Sequence, residues 1–213
     1  MTVNKHHTGN YEAEMLDLIA KCGYINDSIK KEKNTFNKAV FIDRDGTIHV
    51  DKVETRRKED LEFLDGVFSL LITASKLGYK VVIVTNQSGI GKGHYDVSEM
   101  QEFNDYLIQE LNKNGVDIAA LYYCPHINQD NCQCKKPKDG MFRRAAMELN
   151  IDLSQSIMIG DQSLDVYAGL NAGVGENYIV TTGIYKTEDG KYHLPSDLKD
   201  KVEIGRASCR ERV

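Results

Sequence analysis

The sequence predicts an α/β fold with a doubly wound, mainly parallel sheet. From Ala39 onward, short apolar β-prone runs alternate with helical segments, as in βα units. Three of these runs end at a polar residue: Asp43, Thr85 and Asp161. With 213 residues, 41% of them hydrophobic, the chain can form one α/β core, and the intervals between these polar residues leave no room for a separate cap domain.

Five strands are predicted, at residues 39–42, 80–84, 121–123, 156–159 and 178–181. Four helices alternate with them, at 66–77, from Ser98 to a stop at Gly115, at 140–150 and at 164–172. Gly78 and Gly173 follow two of these helices in positions that favour a left-handed C-terminal residue. Ser98 and Gln101 form a capping-box pattern, which predicts the start of the second helix.

Composition excludes several classes of function. A formal net charge of −5 is unsuited to broad nucleic-acid binding, which relies on a basic face. No apolar run is long enough to span a bilayer, and the N-terminus lacks the apolar core of a secretory signal. We therefore expect a soluble, cytoplasmic protein without membrane association, of unknown oligomeric state.

The polar groups at the strand ends suit phosphoryl transfer. Parallel strands bring Asp43, Thr85 and Asp161 to one edge of the sheet, and Lys136 precedes the helix at 140–150 from where it could reach the same edge. Phosphoryl transfer needs an in-line nucleophile, a metal that neutralises charge and fixed donors to the phosphoryl oxygens. Asp43 is the natural nucleophile, forming an acyl phosphate. Asp45 can protonate the leaving alkoxide, for which its pKa must be raised, and can later take a proton from the attacking water.

Four motifs carry a resemblance to the haloacid dehalogenase superfamily. They are Asp43-Arg-Asp-Gly-Thr47, Thr85-Asn-Gln-Ser-Gly-Ile90, Lys136-Pro137 and Gly160-Asp161-x-x-x-Asp165. The resemblance implies that Mg²⁺ is bound by Asp43, the Asp45 backbone carbonyl and Asp161, while Thr85 and Lys136 hold the phosphoryl group. Asp165 is expected either to orient Lys136 or the metal site, or to be an acidic residue at a helix start.

A second candidate metal site lies at Cys124, His126, Cys132 and Cys134. Three thiolates and one imidazole suit a structural, tetrahedral Zn²⁺, although buried or free thiols remain the alternative from chemistry alone. With Lys136-Pro137 and Gly140-Met141, this loop resembles the zinc-loop branch that contains the heptose 1,7-bisphosphate phosphatases and histidinol phosphatases. That resemblance strengthens the zinc prediction.

The resemblance implies that the substrate is a small phosphorylated sugar, with the 7-phosphate of D-glycero-D-manno-heptose 1,7-bisphosphate as the scissile group. The predicted substrate-binding residues are Asp51, Asn86, Gln87, Ser88 and Lys135. Ser88 favours the heptose branch, but Lys135 stands where heptose enzymes usually carry Arg, whose fork binds phosphate differently. The alternatives are a histidinol-phosphate phosphatase, a nucleic-acid 3′-phosphatase, or a zinc-stabilised module that only binds a partner. The glycines at 88–93 lack the spacing of a nucleotide-binding P-loop.

Three segments are predicted along the chain. Residues 1–37 form a polar extension, in which only residues 15–20 could make a short amphipathic helix, and residues 38–202 form the phosphatase domain. Residues 203–213 match the translation of a common sequencing adapter, so we expect them to be an artefact and the authentic C-terminal element to be missing.

Overall fold

The computed structural model describes residues 36–183, 195–198 and 201–205. Its centre is a parallel six-stranded sheet in the order β3-β2-β1-β4-β5-β6. The strands are β1 Lys38–Ile42, β2 Tyr79–Asn86, β3 Ile118–Cys124, β4 Ile157–Gly160, β5 Glu176–Val180 and β6 Glu203–Gly205. The α/β prediction is confirmed.

Helices follow the strands in alternation. They are α1 Val67–Lys76, α2 Ser88–Gly91, α3 Val97–Lys113, α4 Gly140–Leu149 and α5 Ser163–Ala172. Short 3₁₀ turns occur at Lys58–Asp60, Asn128–Asp130, Leu153–Gln155 and Ser196–Leu198. Within the described residues, the segment between β1 and β2 contains a loop, one 3₁₀ turn and α1 but no cap domain.

The sheet is buried on both faces, which explains the continuous apolar runs of its central strands. On one face, Val40 and Ile42 of β1 belong to a core cluster with Leu71 of α1 and Leu107 of α3. On the other face, Ala39 and Phe41 belong to a cluster with Phe142 of α4 and Ala168 of α5. Helices thus cover both faces, as expected of a doubly wound fold.

The strand order reverses at β1, and this reversal positions the site. From β1 the chain builds outward through β2 to β3, then returns to place β4 on the other side of β1. Ligands of open α/β sheets bind at such a switch point, outside the carboxyl ends of the strands. Asp43 follows β1 and Asp161 follows β4, so both lie at this point.

Several boundaries differ from the predictions. The capping box of α3 involves Asp96 and Glu99, not Ser98 and Gln101: the Asp96 side chain accepts from the Glu99 N–H (2.9 Å), and the Glu99 side chain accepts from the Asp96 N–H (3.0 Å). Asp96 is therefore the N-cap residue, two positions before the predicted Ser98, and α3 begins at Val97. The strands deviate by one to three residues at their ends, and the short helix α2 was not predicted.

Two predictions concern the ends of the chain. The extension at 1–37 lies outside the described residues except for Phe36 and Asn37, and Asn37 bridges Ile151. The strand β6 lies within the segment expected to be adapter-derived and pairs in parallel with β5. This pairing does not test the origin of the segment. None of the helices in the described part of the chain has both the length and the apolarity needed to cross a bilayer.

Candidate active site

A cleft of about 340 Å³ opens at the carboxyl ends of β1 and β2. It is lined by all the predicted catalytic and substrate-binding residues, together with Asp165: Asp43, Asp45, Thr85, Lys136, Asp51, Asn86, Gln87, Ser88 and Lys135. These residues come from four separate stretches of sequence. The topology therefore assembles them in one place.

Lys136 joins two carboxylates at the base of this cleft. Its Nζ lies 2.5 Å from Asp43 Oδ1 and 2.6 Å from Asp165 Oδ1, and it donates to the Val84 carbonyl at 2.8 Å. Burial lowers the pKa of Lys136, but the charges of Asp165 and Asp43 outweigh it and raise the pKa above the ordinary value. The lysine therefore stays a cation.

The backbone of Lys136 is fixed by Asn86 at the end of β2. The Asn86 amide donates to the Lys136 carbonyl (3.1 Å) and accepts from the Lys136 N–H (3.0 Å). Asn86 was predicted to bind substrate, but both ends of its side chain are engaged with the protein. Its geometry is that of a residue that positions Lys136.

Asp161 is 1% exposed, and both its carboxylate oxygens lack a hydrogen-bond partner among the described residues. Burial, with the nearby charges of Asp43 and Asp165, raises its pKa to about 9. A Cβ added to Gly46, which has φ +81°, would lie 2.8 Å from Asp161 Oδ2. Unpartnered buried carboxylate oxygens are costly unless something else binds them.

The chemistry of this acidic group suits a hard cation. Ligand oxygens of Asp43, Asp161 and Asp165 lie within 4.8 Å of one another. Asp165 is already engaged, because its Oδ1 contacts Lys136 and its Oδ2 accepts from the Gln162 N–H at 3.0 Å, at the start of α5. Both alternatives proposed for Asp165 are therefore present together. Asp161 and Asp43 remain as the oxygen donors that Mg²⁺ prefers.

Asp45 lies against the guanidinium of Arg44. Arg44 Nε and an Nη donate to the two Asp45 oxygens at 3.0 Å each, and the other Nη donates to Asn104 Oδ1 at 2.7 Å. Burial raises the pKa of Asp45, but the charges of Arg44 and His49 and the hydrogen bonds from Arg44 and Gln87 outweigh it and lower the pKa. The expectation that the pKa of Asp45 is raised is therefore wrong. The sequence did not show that the Arg44 guanidinium donates two hydrogen bonds to this carboxylate.

Gln87 connects Asp45 to Thr85. Its Nε2 donates to Asp45 Oδ2 and to Thr85 Oγ1, both at 2.8 Å, and its Oε1 accepts from the Tyr95 hydroxyl at 2.8 Å. Thr85 Oγ1 lies 3.5 Å from Asp45 Oδ2. Gln87, which was predicted to bind substrate, lines the cleft, but its side chain is hydrogen-bonded to Asp45, Thr85 and Tyr95.

Two loops meet at the mouth of the cleft. The loop after β1 contains Asp51 and Glu54, and the loop after α2 contains His94 and Lys92. Glu54 accepts from His94 Nδ1 at 2.8 Å and lies 3.9 Å from Lys92 Nζ. Val53 and Glu54 have φ of +61° and +58°, an uncommon conformation for side chains of this size. The rim of the cleft is thus closed on one side by an ion pair.

Lys135 also lines the cleft. Its Nζ hydrogen-bonds Ser88 Oγ and donates to the His126 carbonyl at 3.1 Å. The contact joins two predicted substrate-binding residues and ties the loop after β2 to the Cys/His loop. Burial raises the pKa of Asp51, the remaining predicted substrate-binding residue, so that its carboxyl is harder to ionise than an exposed one.

The Cys/His cluster is assembled as predicted. Cys124 Sγ lies 3.3 Å from Cys134 Sγ and 3.6 Å from Cys132 Sγ, and His126 Nδ1 lies 3.3 Å from Cys134 Sγ. The four donor atoms lie within 4.8 Å of one another. Zn–S bonds of about 2.3 Å in a tetrahedron place sulfur atoms about 3.8 Å apart, so the cluster can hold a metal ion of this kind.

The sequence reasoning assigned no role to Arg44 or Tyr95, and it included His49 and Glu54 only as members of a loop, residues 49–57, expected to select the substrate. Arg44 is fully buried between the two aspartates, and its guanidinium lies 4.9 Å from the Phe103 ring. The signal in the sequence was an arginine placed directly between Asp43 and Asp45, where the apolar strand β1 ends. Tyr95 carried no such signal, because only the fold brings its segment to the cleft.

Known proteins are similar to this chain in sequence and in fold. The family model described as HAD-hydrolase-like matches residues 133–202. The D-glycero-β-D-manno-heptose-1,7-bisphosphate 7-phosphatase of Helicobacter pylori is 45% identical over 169 residues, which cover 79% of this chain and 97% of the relative. The chain belongs to the heptose-bisphosphate 7-phosphatase family of HAD-like hydrolases.

Other members of this family differ in the sugar anomer that their names give. The Campylobacter jejuni relative, named a D-glycero-α-D-manno-heptose-1,7-bisphosphate 7-phosphatase, is 43% identical over 67% of this chain and 82% of its own length. The crystal structure of the D,D-heptose 1,7-bisphosphate phosphatase from B. bronchiseptica, complexed with magnesium and phosphate, is 27% identical with a TM-score of 0.68. It is matched over 79% of this chain and 92% of that one.

Proposed function

We propose that this phosphatase removes the 7-phosphate of D-glycero-D-manno-heptose 1,7-bisphosphate through an aspartyl-phosphate intermediate on Asp43. The observation that carries the proposal is the buried Asp43–Lys136 pair at the base of a polar cleft, next to the unpartnered carboxylate of Asp161. A nucleophile, a fixed cation and a set of oxygen donors for a metal ion are the parts that phosphoryl transfer requires.

The first chemical step is attack of an Asp43 carboxylate oxygen on phosphorus. The bond between phosphorus and the sugar oxygen breaks, and Asp45 gives its proton to the leaving alkoxide. The Thr85 hydroxyl and the Lys136 ammonium hold the phosphoryl oxygens during transfer. In the second step Asp45 takes a proton from water, which attacks phosphorus, releases phosphate and restores the Asp43 carboxylate.

The lowered pKa of Asp45 favours the base form needed in the second step. A phosphorylated substrate brings negative charge into the cleft, and a like charge raises the pKa of a carboxyl. Substrate binding itself therefore favours the protonated form needed in the first step.

Asp43, the Asp45 backbone carbonyl and Asp161 would hold Mg²⁺. When bound, Mg²⁺ neutralises charge on the phosphoryl group being transferred. Cys124, His126, Cys132 and Cys134 would hold a structural Zn²⁺, since all four positions are filled by protein. We also propose that the protein is cytoplasmic.

Substrate selection is assigned to the loops at the rim, because no cap domain covers the described cleft. Lys135 and Lys92 line the cleft and carry the positive charge that a distal phosphate requires, while Ser88 and Asp51 offer hydrogen bonds to sugar hydroxyls. Lys135 acts as a single charge where a guanidinium would provide a fork.

The test is phosphate release by the purified chain with Mg²⁺, measured side by side on four substrates. They are the two anomers of the heptose bisphosphate, histidinol phosphate and a 3′-phosphorylated oligonucleotide. We expect kcat/KM to be highest for one of the heptose anomers, with no release by Asp43→Asn. A higher kcat/KM for histidinol phosphate or the oligonucleotide would refute the substrate assignment.

A further inference from the structure

The Tyr95 hydroxyl is linked to the acid–base residue of the proposed mechanism through one side chain. Tyr95 donates to Gln87 Oε1 at 2.8 Å, and Gln87 Nε2 donates to Asp45 Oδ2 at 2.8 Å. The three residues belong to the segment before α3, the end of β2 and the loop after β1. Their connection is therefore a product of the tertiary fold.

The orientation of the Gln87 amide follows from its neighbours. The Asp45 carboxylate accepts hydrogen bonds, so the NH₂ group of Gln87 must face it, and this leaves the amide oxygen toward Tyr95. Burial raises the pKa of Tyr95 to about 12, so its hydroxyl keeps its proton and donates. Removing that donor leaves a buried carbonyl oxygen without a partner and frees the amide to rotate.

Tyr95 is itself held rigidly. It directly precedes Asp96, whose capping box with Glu99 fixes the start of α3. Its ring lies against Gly89, where an added Cβ would come within 2.1 Å of Tyr95 Cε1, and the Arg56 guanidinium lies 5.4 Å from the ring centre. Tyr95 is only 6% exposed, so it offers little surface to a substrate although it borders the cleft.

We propose that Tyr95 is a positioning residue for Asp45, acting through Gln87 to hold the acid–base carboxylate beside the phosphoryl-binding Thr85. Arg44 also donates hydrogen bonds to both oxygens of this carboxylate. With both contacts, Asp45 Oδ2 is kept 3.5 Å from Thr85 Oγ1. The inference rests on the proposed role of Asp45, and it adds to that role a residue that touches neither substrate nor metal.

The test compares two leaving groups. Departure of an alkoxide needs a proton from Asp45, whereas p-nitrophenolate leaves without one, so a misplaced acid slows only the first. Values of kcat/KM for Tyr95→Phe are measured with the alkyl phosphate hydrolysed fastest in the panel above and with p-nitrophenyl phosphate. We expect kcat/KM to fall about tenfold with the alkyl phosphate and less than about twofold with p-nitrophenyl phosphate. This ratio reports phosphoryl transfer to Asp43 and not the later hydrolysis, which is common to both substrates.

Two further variants make the outcome specific. Tyr122→Phe is the matched control, because it removes a phenol hydroxyl that donates to Glu148 (2.7 Å), and it should leave both values unchanged. Gln87→Met keeps the side-chain length without the amide and should reproduce the selective loss. It also serves as the second variant if Tyr95→Phe folds poorly, as judged by its Tm.

Asp45→Asn separates failure of this inference from failure of the proposed function. It should lose about a hundredfold or more with the alkyl phosphate and much less with p-nitrophenyl phosphate. If Asp45→Asn shows this selectivity while Tyr95→Phe changes both substrates equally or neither, the positioning role is overturned and the mechanism stands. If Asp45→Asn is itself unselective, the acid role and the inference are overturned together.

Discussion

The Asp43 carboxylate and the Lys136 ammonium lie 2.5 Å apart, although 93 residues separate them in the chain. Burial raises the pKa of Asp43 to about 7 against the attraction of Lys136. The pair keeps the proposed nucleophile oriented while its negative charge is balanced. Loss of the carboxylate should therefore affect chemistry more than folding.

We expect Asp43→Asn to have no measurable turnover, because an amide cannot form the acyl phosphate. Lys136 retains its contact with Asp165, so the fold should persist. Phosphate release and the circular dichroism spectrum check the two parts of this prediction. Asp105→Asn, an exposed substitution of the same kind on α3, is the control and should be fully active. Normal turnover of Asp43→Asn, in protein verified by mass, would remove Asp43 as nucleophile.

The metal-free protein should become less stable as pH rises. The pKa of Asp161 is about 9 in the folded chain against an ordinary value of 3.8, so between these values the folded state binds a proton that the unfolded state has lost. By linkage, the free energy of unfolding then falls with increasing pH in that window. Asp43 contributes in the same direction up to about pH 7.

Magnesium competes with that proton, so the rise in Tm on adding Mg²⁺ should be larger at pH 8 than at pH 5. Asp161→Asn has no such proton, so its Tm should depend less on pH and respond little to Mg²⁺. Thermal melts of both proteins, in chelator-free buffer so that the proposed Zn²⁺ stays bound, measure these differences. Equal pH dependence in the two proteins would contradict the prediction.

Removal of the proposed zinc site should lower stability and, as a consequence, activity. Lys135 connects this loop to Ser88, and Lys136 follows directly, so a loosened loop displaces the phosphoryl-binding cation. We expect Cys132→Ser to lower Tm by at least about 5 °C, where about 1 kcal/mol corresponds to about 2–4 °C in a domain of this size. Cys22→Ser, which removes a thiol remote in sequence, should leave Tm unchanged. Elemental analysis that finds no zinc in folded, active protein would exclude the site.

Replacing Lys135 by Arg should improve recognition of a second phosphate. A guanidinium offers two parallel donors to a phosphate, whereas the lysine ammonium is a point charge. We expect kcat/KM to rise severalfold for the heptose bisphosphate and to change little for a generic sugar monophosphate. Lys113→Arg on the exposed surface of α3 is the control. An equal effect of Lys135→Arg on both substrates would argue against contact with the distal phosphate.

Sequence alone determined the features that are local in the chain. The apolar run before Asp43 and Asp45 specifies a buried strand that ends in two carboxylates, and the Cys-x-Cys spacing specifies a compact donor set. Each depends on residues within a few positions of one another, where strand periodicity and chelate geometry act directly. The parallel α/β architecture followed from the alternation of such segments.

Tertiary structure decided how those residues are used. Arg44 is adjacent in sequence to both Asp43 and Asp45. Its guanidinium contacts Asp45, because Asn104 of α3 and the Phe103 ring stabilise it in that position. Asn86 and Gln87 became supports for Lys136 and Asp45 because the carboxyl end of β2 lies beside the loop after β1 and the Lys136 loop. These contacts join segments distant in sequence, so only the packing of sheet and helices sets their distances, burial and pKa shifts.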